Sequence, residues 1–153
     1  MKLLRPLLLI AALALAGCAT TRVGDSGLIA LRSPYSAAET LARLEARVKQ
    51  RGLAVVARVD HAAGAARIGQ TLRPTEVVIF GNPQAGTPLM VCAQAAGIDL
   101  PMKALVWEDA QSQVWLGYND PRWIARRHGA ADCPAADNIH KALSTLAAET
   151  VAR

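Results

Sequence analysis

The spacing of apolar positions changes several times along this chain, and each change predicts an element. Leu28 to Arg32 is a short apolar stretch closed by Ser33-Pro34, a strand pattern. Ala37, Leu41, Leu44 and Val48 then recur at helical spacing. Ser36-Ala37-Ala38-Glu39 ahead of them has capping-box chemistry, and Gly52 follows as a stop. Leu53 to Asp60 alternates, with Leu53, Val55, Ala57 and Val59 expected on one face and Arg58 and Asp60 on the other. His61 to Gln70 is rich in Ala and Gly and predicts a short, imperfect helix. Glu76 to Phe80 contains a continuous β-branched run, too short for a helix, which predicts a strand covered on both faces. Gly81-Asn82-Pro83 reads as the turn that stops it, and Thr87-Pro88 as the N-cap and first residue of a helix that Gly97 closes.

The second half continues in the same way. Ala104 to Glu108 and Val114 to Tyr118 predict two strands joined by the hairpin-length loop Asp109 to Gln113. Asp120-Pro121 opens a helix through Arg127 that Gly129 ends. Cys133-Pro134 leads into a last helix with the stripe Ile139, Leu143, Leu146 and Thr150. A strand, a long helix, four more strands with short helices between some of them, and a terminal helix make an α+β fold. Its sheet is expected to be largely antiparallel, of about five strands, with helices packed on one face.

Composition changes the picture mainly at the N-terminus. Lys2 and Arg5 precede the apolar run Leu7 to Ala16, which is shorter than a bilayer span, and the run ends in Leu15-Ala16-Gly17-Cys18. That ending resembles the bacterial lipobox. It implies a signal peptide over residues 1–17, a diacylglycerol on Cys18, and, with Ala19 rather than Asp following, sorting to the outer membrane with the domain in the periplasm. Residues 18–27 lack apolar periodicity and read as a lipidated flexible tether, which leaves 28–153 as one domain. The whole chain carries +5, and without Lys2 and Arg5 it keeps 15 basic residues against 12 acidic ones, a net +3. That charge is too small and too scattered for a nucleic-acid partner.

Several stretches resemble one bacterial family, the domain of unknown function 302. They are Val59-Asp60-His61, Leu72-Arg73-Pro74-Thr75-Glu76, Ile79-Phe80-Gly81-Asn82-Pro83, Gly86-Thr87-Pro88-Leu89-Met90, Asp99-Leu100-Pro101-Met102-Lys103-Ala104-Leu105-Val106-Trp107-Glu108-Asp109 and Tyr118-Asn119-Asp120-Pro121. The resemblance runs from about Leu28 to His128. It implies a strand–helix–four strands–helix fold of the TATA-binding-protein-like type and a second copy of the chain as a candidate partner. It implies no activity.

Candidate chemistry is sparse. Asp60-His61 places a carboxylate beside an imidazole, but adjacent strand residues point to opposite faces. An acid–base site therefore needs His61 to meet Glu108 or Asp120, and the alternative is a histidine closing a strand end. The segment Gly81 to Thr87, with Asn82 inside it, offers free amides as an anion cradle with Arg73 or Lys103 as counter-charge, or else is a plain turn. Trp107, Trp115, Tyr118 and Trp123 hold four of the six aromatics in one quarter of the chain and suggest a small-molecule pocket, or cross-strand core pairs. His61, His128 and His140 lie far apart. Met90 and Cys92, two residues apart on a helix, point about 200° away from each other, so no metal and no cofactor is expected. No Gly-x-Ser-x-Gly elbow is present.

Lipidation of Cys18 leaves Cys92 and Cys133. With Cys92 on the apolar face of a helix, both are expected as free thiols rather than as a disulfide. Taken together, the sequence points to a non-catalytic lipoprotein. Its domain is expected to bind a small molecule or an envelope protein in a pocket between the Gly81–Thr87 turn and the aromatic strands. The alternative is an enzyme using His61 with Glu108 or Asp120.

Overall fold

The structure, a computed structural model, describes residues 20–22 and 24–153; the expected leader and Cys18 lie outside the described residues. Among these, six strands form one antiparallel sheet: β1 (Thr20–Arg22), β2 (Leu28–Ser33), β3 (Ala54–Asp60), β4 (Thr75–Gly81), β5 (Met102–Glu108) and β6 (Val114–Asn119), in spatial order β1-β2-β6-β5-β4-β3. Helix α1 (Ala37–Gln50) follows β2, α2 (His61–Ala66) follows β3, and α3 (Pro83–Cys92) follows β4. The chain closes with α4 (Pro121–Arg127) and α5 (Pro134–Val151). The expected α+β architecture is thus the observed one, with the three-residue β1 added at the edge.

Helices α1 and α5 pack on each other and on one face of the sheet. The four central strands send alternate residues there: Ile29 and Leu31, Val78 and Phe80, Ala104 and Val106, Leu116 and Tyr118 are all buried. Leu41, Leu44 and Val48 of α1 and Ile139, Leu143 and Leu146 of α5 complete the core. Polar groups on this face are paired: the Ser33 and Thr40 hydroxyls share a 2.7 Å hydrogen bond, and the Thr40 hydroxyl donates to the Ser36 carbonyl at 2.8 Å.

Among the described residues, no helix covers the opposite face. There Val59, Val77, Ile79, Leu105, Trp107 and Trp115 form an apolar surface. Strand β4 is therefore not covered on both faces, because its Val77 and Ile79 are only half-buried. Trp107 and Trp115 are cross-strand partners, stacked with ring centroids 6.3 Å apart. Gly117 lets Trp107 lie flat, since a Cβ there would sit 2.8 Å from Trp107 Cζ3. Asp109 fixes the hairpin above them, accepting from the Gln111 and Gln113 amides and from Trp115 Nε1 at 2.7 Å. Those bonds, with the Trp115 bond foremost, hold its carboxyl below the usual range.

Four further local expectations are corrected. The alternation of β3 is broken by a bulge between Val55 and Ala57, which leaves Val56 exposed and reverses the pleat, so Val55 and Ala57 do not share a face. Arg58 then turns toward the helices, where it pairs with Glu45 and Glu76. Helix α3 begins at Pro83, not Pro88, because β4 stays paired through Gly81 and the Asn82 side chain accepts from the Ala85 amide at 2.8 Å. It ends at Cys92, and a 3-10 turn over Gln94–Asp99 follows.

The segment before Leu28 is not a free tether in its described part. Thr20–Arg22 pairs with Ile29–Leu31, Trp123 Nε1 donates to the Asp25 carbonyl at 3.1 Å, and the Asp120 amide donates to the Gly27 carbonyl at 2.8 Å. Gly27 has φ +75°, and a Cβ there would clash with Cδ2 and Cγ of the Trp123 ring, so only glycine fits this clamp.

The fourth correction is the thiols. Cys92 and Cys133 form a disulfide, with Cα atoms 6.0 Å apart. The end of α3 and the start of α5 meet, which apolar periodicity alone does not encode.

Candidate functional site

A concavity with an apolar lining lies at one end of the sheet, where β3 begins and β4 ends. It is a half-open cavity of about 500 Å³. Ala54 and the bulged Val56 supply its β3 wall. Gly81, Asn82, Pro83, Ala85, Gly86, Thr87 and Met90 supply the β4 end and α3, and Leu100, Pro101 and Met102 supply the entry to β5, with Ile139 of α5 beyond. The Leu100–Pro101 peptide is cis. A second cavity of about 240 Å³ adjoins it and shares Gly81, Ala85, Met102 and Ile139, with Phe80 and Leu143 deeper and Gln84 and Asn138 at its rim. Neither lining contains a charged side chain. Such a lining binds by burial of apolar surface, with Asn82, Thr87, Gln84 and Asn138 as neutral polar groups.

The expected site residues divide between several places. Asn82 and Thr87 line the cavity, Asn82 as the cap of α3 and Thr87 on an exposed side of that helix. Lys103, expected as a counter-charge, donates from Nζ to the Asp99 and Pro101 carbonyls at 2.8 and 3.1 Å. Arg73 precedes β4, at the opposite end of a strand about 20 Å long. The anion cradle is thus not assembled. Trp107 and Trp115 lie on the helix-free face toward that same far end, and Tyr118 is buried in the core, so the turn and the aromatic strands do not share one pocket.

The acid–base arrangement is not brought together either. His61 opens α2, exposed, at the end of the edge strand β3 where Asp60 pairs with Glu76. Glu108 is two strands away on the helix-facing side. Asp120 follows the opposite end of the sheet, past the Leu28–Asn119 pair. The imidazole that Asp120 does meet is that of His140, whose Nδ1 lies 3.0 Å from Asp120 Oδ1. Asp120 also caps α4 through the Arg122 amide and pairs with the Arg122 guanidinium. Burial pushes its pKa up, but the Arg122 hydrogen bonds and the Arg122 and His140 charges outweigh this and hold it below the ordinary carboxylate value. A second pair joins His128 Nε2 to Asp99 Oδ2 at 2.7 Å, with Arg127 on the other oxygen. Among the described residues, no group of three or more His, Cys, Asp or Glu gathers to hold a metal.

Sequence reasoning missed the cavity walls Ala54, Val56, Met90, Leu100, Pro101, Met102 and Ile139, which come from four separate segments. One signal pointed to part of them: the run Gly86-Thr87-Pro88-Leu89-Met90 keeps small and deformable residues together.

Known proteins resemble this chain in three ways. The sequence model described as "Domain of unknown function DUF302" matches residues 29–146. The crystal structure of an uncharacterized conserved protein DUF302 from Bacillus stearothermophilus superimposes with a TM-score of 0.74 at 20% identity, covering 82% of this chain and 98% of that one; this shows the shared fold. Two proteins named fluoride-specific ion channels, FluC 1 of Brucella suis biovar 1 (strain 1330) and FluC 2 of Brucella melitensis biotype 1 (strain ATCC 23456 / CCUG 17765 / NCTC 10094 / 16M), are each 53% identical to it over 104 residues. That is 68% of this chain but 41% and 38% of those proteins, so the chain spans about two-fifths of the relatives it matches. No helix among the described residues is long and apolar enough to cross a membrane.

Proposed function

The chain belongs to the DUF302 family, and we propose that it is an outer-membrane lipoprotein, anchored through Cys18, whose periplasmic domain binds a small molecule without catalysis. The observation that carries the binding reading is the cavity of about 500 Å³ at the Asn82 end of the sheet, with its uncharged lining. Its two hydrogen-bonding side chains, Asn82 and Thr87, orient a ligand but do not titrate near neutral pH, which favours binding over acid–base chemistry. The Cys92–Cys133 disulfide suits an oxidising compartment, and so supports export independently of the leader. A thermal-shift screen of periplasmic small molecules on the oxidised domain tests the reading. A stabilising ligand whose effect is lost in Gly86→Leu supports it, and a screen without any such ligand sinks it.

A second reading, docking to a membrane-protein partner, is favoured by the relatives. There the same region forms part of longer chains named as ion channels. The helix-free face offers an apolar surface for such a contact. A photo-crosslinker at Leu105 is expected to join the domain to an integral membrane protein in intact envelopes, while one at Ala46, on exposed α1 surface, does not. Equal or absent crosslinking from both positions rejects this reading.

A further inference from the structure

Resting on the cavity reading above, we propose that its ligand is an unbranched alkyl chain with a neutral head, such as a monoacylglycerol or a fatty amide. The two adjoining cavities, of about 500 and 240 Å³, share Gly81, Ala85, Met102 and Ile139, and run from the mouth between β3 and α3 inward toward Phe80. A flexible chain can follow both half-open cavities past the residues they share, which a rigid ring system seated in one of them does not. Met90 and Met102 line the larger cavity with deformable thioethers that adapt to a chain whose position is not fixed by polar contacts.

The head group follows from what the mouth lacks. Neither lining holds a charged side chain, and the nearby cation, Lys103, already donates to the Asp99 and Pro101 carbonyls. The Ala85 amide at the start of α3 is taken by Asn82 Oδ1, so the helix end does not present it to an anion. A carboxylate drawn into this mouth loses hydration without a counter-charge. Asn82 retains its NH₂ donors and Thr87 its hydroxyl, which suit an ester, amide or alcohol.

The test measures binding of two probes, 1-decanoylglycerol and decanoate, to the oxidised domain by calorimetry at pH 8, where decanoate is fully ionised. Decanoylglycerol is expected to bind at least about ten-fold more tightly, equivalent to ~1.4 kcal/mol. Gly86→Leu and Ala54→Phe, each narrowing the mouth, are expected to weaken it by about ten-fold or more, and Ala46→Leu to leave it unchanged. A Cβ at Gly86 meets only Leu100 Cδ1, at 3.5 Å, and Ala54 is exposed. If Gly86→Leu fails to fold, Ala54→Phe decides. Binding unaffected by whichever variants fold, or decanoate binding as tightly as the ester, overturns the proposal. If the screen finds only polar or aromatic ligands whose binding Gly86→Leu removes, the alkyl assignment falls while the cavity reading stands. If nothing binds, both fall.

Discussion

At the scale of single residues, Asp120 shows how local and distant information divide. Its role as cap of α4 is legible in the dipeptide Asp120-Pro121, because capping depends on neighbours in sequence. Its pairing with His140 is not, because α5 returns to it only after twenty residues. Asp120→Ala is expected to lower stability at pH 7 by about 0.5–2 kcal/mol, the range for a lost N-cap, as measured by urea unfolding. The pH dependence has a definite sign. A carboxyl whose folded pKa is depressed contributes stability that is present above the ordinary carboxylate value and is lost as pH falls through the folded pKa. The gap between wild type and Asp120→Ala is therefore expected to shrink as pH falls below about 4; a gap undiminished at about pH 2 contradicts the assignment. Gly117 gives a second residue-level test. An added Cβ would approach Trp107 Cζ3 to 2.8 Å and the Ile29 carbonyl oxygen to 3.3 Å, so Gly117→Ala is expected to displace the Trp107 ring, shift tryptophan emission and cost about 1–3 kcal/mol.

At the scale of elements, α3 marks where sequence rules compete. Asn82-Pro83 and Thr87-Pro88 each satisfy the cap-and-first-residue pattern, and local chemistry does not choose between them. The choice is made by β4, which pairs with β3 through Gly81 and so delivers the chain directly to Asn82 as cap. The amphipathic α1 and α5 were legible because their stripes, Leu41-Leu44-Val48 and Ile139-Leu143-Leu146, match the core. The β3 bulge was not, since one extra residue reverses a period-two pattern without altering composition. Helix α3 buries only Leu89 and contains Pro88, so its attachment depends heavily on the Cys92–Cys133 bridge to α5. Closing a loop of 41 residues is worth about 4 kcal/mol through the unfolded state, and Cys92→Ser is expected to cost that order. Alkylation of the denatured, unreduced domain, followed by mass measurement, is expected to add no groups at these two positions, and two after reduction. Two groups before reduction would show the thiols free.

At the scale of the whole molecule, the order of strands and helices was readable because each element announces its own period, and antiparallel neighbours joined by short loops leave few arrangements. The cavity was not readable, because it is assembled from β3, α3, the β5 entry and α5, none of which signals it alone. The described start of the chain adds a physical constraint to the proposed anchor. Thr20–Arg22 is paired into the sheet and Gly27 is clamped beneath Trp123, so a single residue, Ala19, separates Cys18 from β1, a reach of about 7 Å at most. A lipid on Cys18 would hold the β1 edge close to the bilayer instead of letting the domain stand off. Cys18→Ser is expected to abolish labelling by a fatty-acid probe and to leave the leader uncleaved by the lipoprotein peptidase, both visible on gels of labelled envelopes. A Cys18→Ser protein that is processed and still fractionates with membranes would mean that another anchor holds the domain, and the lipid would lose its role.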